Sequence, residues 1–200
     1  GAVISPLLVN IYLHPLDELL LTRGHRAVRC ADDFVVLCGT AHEAQAALAA
    51  IQQWVQDNGL ELNGQKTTLG DCRIYAQGFE FLGYRFEDGH RRVRAKSLMK
   101  LRDAIRHRTG RTRSGSLATI VKELNPVLRG WFAYFRHACK STFRSLDGFV
   151  RRRLRALLRK REKRPSHGHT FDNSRRWPNA YFAQQGLFTL YAARLAASQS

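Results

Sequence analysis

Ala27-Val28-Arg29-Cys30-Ala31, then Asp32-Asp33, then Phe34-Val35-Val36-Leu37-Cys38, is the stretch that decides the fold of the first part of the chain. Two short apolar runs flank a turn-type dipeptide, which predicts an antiparallel hairpin with two carboxylates at its tip. On the N-terminal side, Ser5-Pro6 predicts a helix capped by Ser5, with Pro6 at its first position. Its apolar residues Leu8, Ile11, Tyr12, Leu16, Leu19 and Leu20 recur at helical spacing, Gly24 can close it, and Pro15 should kink it or split it at His14. On the C-terminal side, Thr40-Ala41-His42-Glu43 is a capping box, followed by Ala44, Ala47, Leu48, Ile51 and Val55 on one face and Asn58-Gly59 as a left-handed stop. Leu60 and Leu62 alternate with polar neighbours, and further short strands are expected at Cys72 to Gln77 and Phe79 to Phe86. Helix, hairpin, helix and strands make this an α+β unit.

Past Gly89 the strand signals stop. Helices are expected at about Ser97 to His107, Leu117 to Leu124, Pro126 to Ala138 and Leu146 to Lys163, with irregular stretches at Arg108 to Gly115 and Pro165 to Pro178 and a closing helix over Ala180 to Ala196. The expected domains are residues 1–88 and 89–200. The formal net charge is +17, and it belongs to the second of these: His90 to Arg164 holds 24 Lys or Arg against 4 Asp or Glu. Arginine predominates over lysine, and its planar fork suits phosphate, so nucleic acid is the expected partner. No apolar run is long enough to span a membrane, and Cys30, Cys38, Cys72 and Cys139 form no CxxC pair. Reduced thiols, no membrane partner and a cytoplasmic location are expected. His167 and His169, or His137 with Cys139, match no standard zinc spacing.

Two adjacent carboxylates on a rigid turn are what hard divalent cations need, although Asp-Asp is also an ordinary turn dipeptide. Their surroundings add a resemblance. Gly1-Ala2-Val3-Ile4-Ser5-Pro6-Leu7-Leu8-Val9-Asn10-Ile11-Tyr12-Leu13, Ala31-Asp32-Asp33-Phe34-Val35, Gly59-Leu60-Glu61-Leu62-Asn63 with Lys66-Thr67, and Phe81-Leu82-Gly83-Tyr84-Arg85-Phe86 stand in the order of the palm blocks of group II intron reverse transcriptases. Leu124-Asn125-Pro126-Val127-Leu128-Arg129-Gly130-Trp131-Phe132-Ala133-Tyr134-Phe135 is similar to their maturase domain, and the likeness continues through Tyr181-Phe182-Ala183 and Gly186-Leu187-Phe188.

The resemblance implies a partial reverse-transcriptase palm followed by an all-α thumb and maturase domain, in a protein that copies RNA into DNA with Mg²⁺ and deoxynucleotides and helps its intron RNA splice. Asp32 would be a direct metal ligand and Asp33 a second carboxylate of lesser role. Lys66 would offset substrate phosphates, Gly83 would let the backbone approach the primer, and Cys30, Ala31 and Tyr84 would lie in the primer and nucleotide region. Cys30 stands where the family has Tyr, and Ala2 where it has Gly. The fingers and the first palm aspartate would precede Gly1, so an isolated chain is expected to polymerise little, and Val28, Cys30, Val35 and Leu37 would present an unpaired apolar edge.

In the helical part the expected ligands are intron RNA and an RNA/DNA primer-template duplex, held by Arg129, Arg136, Arg144, Arg151, Arg152, Arg153, Arg155 and Arg159. Trp131, Phe132 and Phe135 have helix-face spacing and are expected in the core, as are Leu146, Phe149, Val150, Leu154, Leu157 and Leu158. That seam leaves Arg151, Arg152, Arg155 and Arg159 largely free. The alternative of a different class is a non-catalytic RNA-binding splicing factor with an inactive palm remnant.

Overall fold

The computed structural model describes residues 4–163 and 170–198. The chain is α+β and forms two compact units, Gly1–Gly89 and His90–Ser200. The first contains helix α1 (Ser5–Thr22), strands β1 (Arg26–Cys30) and β2 (Asp33–Leu37), helix α2 (Ala41–Asp57), and strands β3 (Phe79–Phe81) and β4 (Tyr84–Glu87). The second opens with strand β5 (His90–Val93) and continues as α3 (Ala95–Arg108), α4 (Leu117–Phe135), α5 (Lys140–Arg161), α6 (Thr170–Arg176), α7 (Asn179–Gln184) and α8 (Leu190–Ala196). No helix among the described residues is long and apolar enough to cross a membrane.

In the first unit, β1 and β2 pair antiparallel from Arg26 opposite Leu37 to Cys30 opposite Asp33. Side chains alternate across the pleat, so Phe34 and Val36 point inward to a core of Leu16 and Leu20 from α1 and Ile51 and Val55 from α2, joined by Leu19, Trp54 and Leu62. Burying each such side chain stabilises the unit by about 1.5–3 kcal/mol. On the opposite face Val28 and Leu37 are about half exposed, at 52% and 50%. On this face Cys30 is exposed as well, while Val35 is half-buried.

Both helices end as their glycines predict. The amide of His25 bonds the Leu20 carbonyl and that of Gly24 the Leu21 carbonyl, while Leu60 and Gly59 repeat the pattern on Val55 and Gln56. These closures need a left-handed residue, and Gly24 and Gly59 have φ of +78° and +67°. The start of α1 differs from expectation: Ser5 is already helical, and Ile4 precedes it without a side-chain cap. Pro15 does not split α1 either. It faces solvent, while Leu16 and Leu20 stay anchored in the core, which outweighs the loss of one helical hydrogen bond.

No strand forms at Cys72 to Gln77. The Asp71 carboxylate accepts from the Arg73 amide at 2.9 Å and its carbonyl from the Ile74 amide at 3.0 Å, a local turn that competes with a ladder. Leu60 to Asn63 also lies outside any strand, although Leu62 still reaches the core. Phe79 to Phe86 is not one strand but the tight hairpin β3–β4, turning at Leu82-Gly83, with Phe79 and Phe86 stacked at 5.1 Å. A Cβ on Gly78 would strike the Phe86 carbonyl oxygen and lie 2.6 Å from the Glu87 Cβ. Gly78→Ala is therefore expected to destabilise the first unit by about 1–3 kcal/mol, read as a lower urea midpoint. An unchanged midpoint would show that the hairpin shifts freely.

The second unit is built on continuous apolar stripes. Leu117, Ile120, Val121, Leu124, Leu128 and Phe135 of α4 are buried, as are Phe143, Leu146, Val150, Leu154 and Leu157 of α5. That uninterrupted stripe explains why α4 is one helix where two were expected: Pro126 lies on its exposed side. Phe135 is buried, while Trp131 and Phe132 are half-buried and pack edge-on against Phe143 at 6.2 and 5.5 Å. Helix α5 also begins earlier than expected, at Lys140. The closing helix is two helices, because the Asn125 side chain holds the break: it donates to the Gly186 carbonyl and accepts from the Phe188 amide, both at 2.8 Å. Part of the stretch expected to be irregular is helix α6, and Pro165 to Gly168 lie outside the described residues.

Candidate functional site

The hairpin tip is displaced by one residue from the expected Asp32-Asp33 turn. Cys30 pairs with Asp33, so the two-residue loop is Ala31-Asp32, and Asp33 is the first residue of β2. Ala31 adopts φ +57°, a conformation that non-glycine residues enter at a cost of about 1–3 kcal/mol and that surrounding structure must enforce. Arg29 supplies that enforcement. Its Nη1 donates to the Ala31 carbonyl and to the Asn10 side chain, each at 2.9 Å. Its Nε and Nη2 grip the Asp17 carboxylate at 2.8 and 2.5 Å. One guanidinium, whose side chain is only 12% exposed, thus ties two turns of α1 to the loop that carries Asp32. The hydrogen bonds from Arg29 hold the Asp17 carboxyl below its ordinary value.

Asp32 and Asp33 are both exposed, and among the described residues neither carboxylate has an ion-pair partner. Oxygen donors with no internal cation are left for a ligand. Cys30 is exposed and lies directly opposite Asp33 on the open face. The role of Arg29 was missed from the sequence. Its signal was an arginine set between the apolar Ala27-Val28 and Cys30, facing the side of the pleat that α1 covers, with Asn10 and Asp17 two helical turns apart on α1.

Lys66 is exposed in a turn organised by Asn63, whose carbonyl accepts from the Lys66 and Thr67 amides at 3.0 and 2.9 Å. No ion pair joins Lys66 to Asp32 or Asp33 among the described residues. Gly83 has φ +79° at the tip of β3–β4, and Tyr84 is half-buried with its ring 6.2 Å from Phe86. Ala2 lies outside the described residues.

In the helical unit the structure divides the eight expected arginines. Arg153 is committed internally: Nε and Nη2 donate to the buried Thr109 hydroxyl and carbonyl at 3.1 and 2.9 Å, and burial lowers its pKa. Arg155, expected free, instead donates to the Trp177 carbonyl at 2.9 Å and the Asn179 side chain at 3.0 Å, because the chain after α6 folds back over α5. Arg129 and Arg144 are exposed and lie over the Phe188 and Tyr191 rings at 4.7 and 4.8 Å. Arg136 is exposed and donates to His137. Arg151, Arg152 and Arg159 have no hydrogen-bond or ion-pair partner among the described residues. Phe149, expected in the seam, is half-buried and sits under the Arg102 and Arg106 guanidiniums at 5.9 and 5.5 Å. His167 and His169 lie outside the described residues, among which no three His, Cys, Asp or Glu converge as a metal cluster.

Comparison with known proteins assigns each unit. The family model for reverse transcriptase (RNA-dependent DNA polymerase) matches residues 1–86, and that for the group II intron maturase-specific domain matches residues 98–177. A search of curated proteins found no match. The two matches fall in the order in which the carboxylate hairpin and the arginine-rich helices occur, and this chain belongs to the group II intron reverse transcriptase/maturase family.

Proposed function

We propose that the helical unit binds intron RNA and the primer-template duplex through their phosphates, and that the Asp32 hairpin serves RNA-directed DNA synthesis. The observation that carries this reading is the division of the arginines. Arg153 is spent on the fold and Arg155 is pinned to it through Nε and Nη2, whereas Arg151, Arg152 and Arg159 on the same helix are left without internal partners among the described residues in a segment nearly free of acids. Cations left unneutralised on one helix repel each other and are relieved by a polyanion.

At the hairpin, Asp32 and Asp33 fit Mg²⁺, which is commonly held by one or two carboxylates together with water and substrate phosphates. Bound there, the metal would activate the primer hydroxyl and stabilise the leaving pyrophosphate. The chain's own contribution is orientation: Arg29 holds the Ala31 carbonyl and thereby the loop that presents Asp32. Lys66 would supply positive charge to the incoming phosphates.

The test is binding of the chain to a structured group II intron RNA and to a DNA duplex of equal length across a salt series, beside an Arg159→Gln/Lys160→Gln variant. RNA should be preferred, and the variant should bind more weakly and flatten the log–log salt slope by about 1.5 to 2, the loss of two phosphate contacts. Equal binding of both ligands with an unchanged slope would mean that the unit is only generically cationic.

A further inference from the structure

On α5 a solvent-open cleft of about 450 Å³ is walled by Gly148, Arg151, Arg152 and Arg155, with Ser174 and Asn179 facing them. Three guanidiniums line it and, among the described residues, no carboxylate does. Arg155 is fixed in place by its bonds to the Trp177 carbonyl and Asn179, and by the Phe182 ring 5.4 Å beneath it. Those bonds use Nε and Nη2, so Nη1 has no partner among the described residues. Burial, and then the neighbouring Arg151 charge, lower the Arg155 pKa, as expected of cations gathered without an anion. Asp147, one turn before Arg151, makes no ion pair with it: its two oxygens accept from the Leu190 and Tyr191 amides at 3.0 and 2.9 Å, and the Arg151 charge reaches it only through space.

A second observation concerns Gly148. Glycine inside a helix is disfavoured relative to alanine, yet Gly148 stands in the middle of α5. Gly148 lines the cleft, and a methyl group there would take up cleft space in ordinary contact with Arg152 Nη1, at 3.4 Å. We propose that this cleft is a phosphate site that seats one phosphodiester of the bound RNA backbone, a fixed anchor within the diffuse cationic surface. Planar guanidiniums match the oxygens of a tetrahedral phosphate, and the Arg155 Nη1 is held in position before binding. The inference rests on the RNA-binding reading and narrows it to a single contact.

The test follows the arginine Nε–H signals of the whole chain by nuclear magnetic resonance during titration with inorganic phosphate, with chloride at equal ionic strength as the control. Arg151, Arg152 and Arg155 should shift saturably at concentrations that leave Arg129 and Arg144 unmoved. Arg151→Gln/Arg152→Gln should weaken phosphate binding about tenfold or more, the loss expected for charge-assisted hydrogen bonds. Gly148→Ala should weaken it several-fold while the melting temperature holds or rises, an effect no purely structural role of the glycine would produce.

An RNA oligomer with a 5′-hydroxyl should displace phosphate from the cleft. Displacement only by the 5′-phosphorylated oligomer would overturn the backbone assignment in favour of a terminal phosphate. Uniform, unsaturable shifts, or parental phosphate affinity in Arg151→Gln/Arg152→Gln, would overturn the site itself. RNA binding that still depends on Arg159 and Lys160 would then stand apart from that failure.

Discussion

Asp32→Ala is expected to lower primer extension roughly a thousand-fold or more when this chain is joined to the fingers and first palm aspartate of a reverse transcriptase, because in the role proposed for it Asp32 would organise the metal, and its loss would forfeit several kcal/mol of transition-state stabilisation. The fold should not suffer. Asp32 is an exposed turn residue without an internal partner, so the urea midpoint of the first unit should stay within about 0.5 kcal/mol of the parent. RNA binding by the helical unit should also persist, which separates lost chemistry from lost substrate. Primer extension that survives Asp32→Ala would remove the hairpin from the catalytic centre. A joined protein inactive even with Asp32 intact would favour a maturase that acts on RNA splicing alone.

Asp147→Ala should produce the largest loss of stability, about 2–4 kcal/mol at neutral pH, since it strips the acceptor from two helix-start amides, those of Leu190 and Tyr191, one of them buried. Helix α8 has no side-chain cap of its own, so Asp147 serves that purpose from a neighbouring helix. The measurement is urea unfolding of the chain, and a loss below about 0.5 kcal/mol would show that α8 finds other acceptors.

The same residue sets a pH signature. Burial pushes its carboxyl above the ordinary 3.8, against the opposing pull of the two amide bonds. A carboxyl whose folded pKa is raised holds its proton more tightly in the native state. Its pH-linked contribution to stability is therefore full below pH 3.8 and is lost as pH rises from there through the folded value. Asp147→Asn keeps one acceptor and does not ionise. It should cost less than alanine and flatten that part of the stability curve; a curve of unchanged shape would assign the dependence to another group.

Much of the first unit was legible because its signals are local. The capping box at Thr40 and the glycine stops at Gly24 and Gly59 act within one helical turn, and the apolar runs around the Asp-Asp pair announce a hairpin whatever surrounds them. The cationic character of the helical unit and the carboxylates Asp32 and Asp33 were equally open to reading, since charge and motif are properties of the chain itself. The register of the hairpin was not: pairing of Cys30 with Asp33 put Ala31, rather than Asp33, in the loop. Proline misled twice, at Pro15 and Pro126, because packing of Leu16, Leu20, Leu124 and Leu128 outweighs one missing hydrogen bond, and that packing is long-range.

Amino-acid order by itself determined the α+β class, the glycine-closed ends of α1 and α2, the charge asymmetry and the residue types fit for metal and phosphate, all of which are local or compositional properties. Tertiary structure alone decided which arginines are free. Arg29, Arg153 and Arg155 look like their neighbours in the sequence, but each meets acceptors 12 to 44 residues away, at Asp17, Thr109 and Trp177. Whether a guanidinium is used up by the fold, held in place with an N–H to spare, or left without an internal partner is settled only when distant segments close around it.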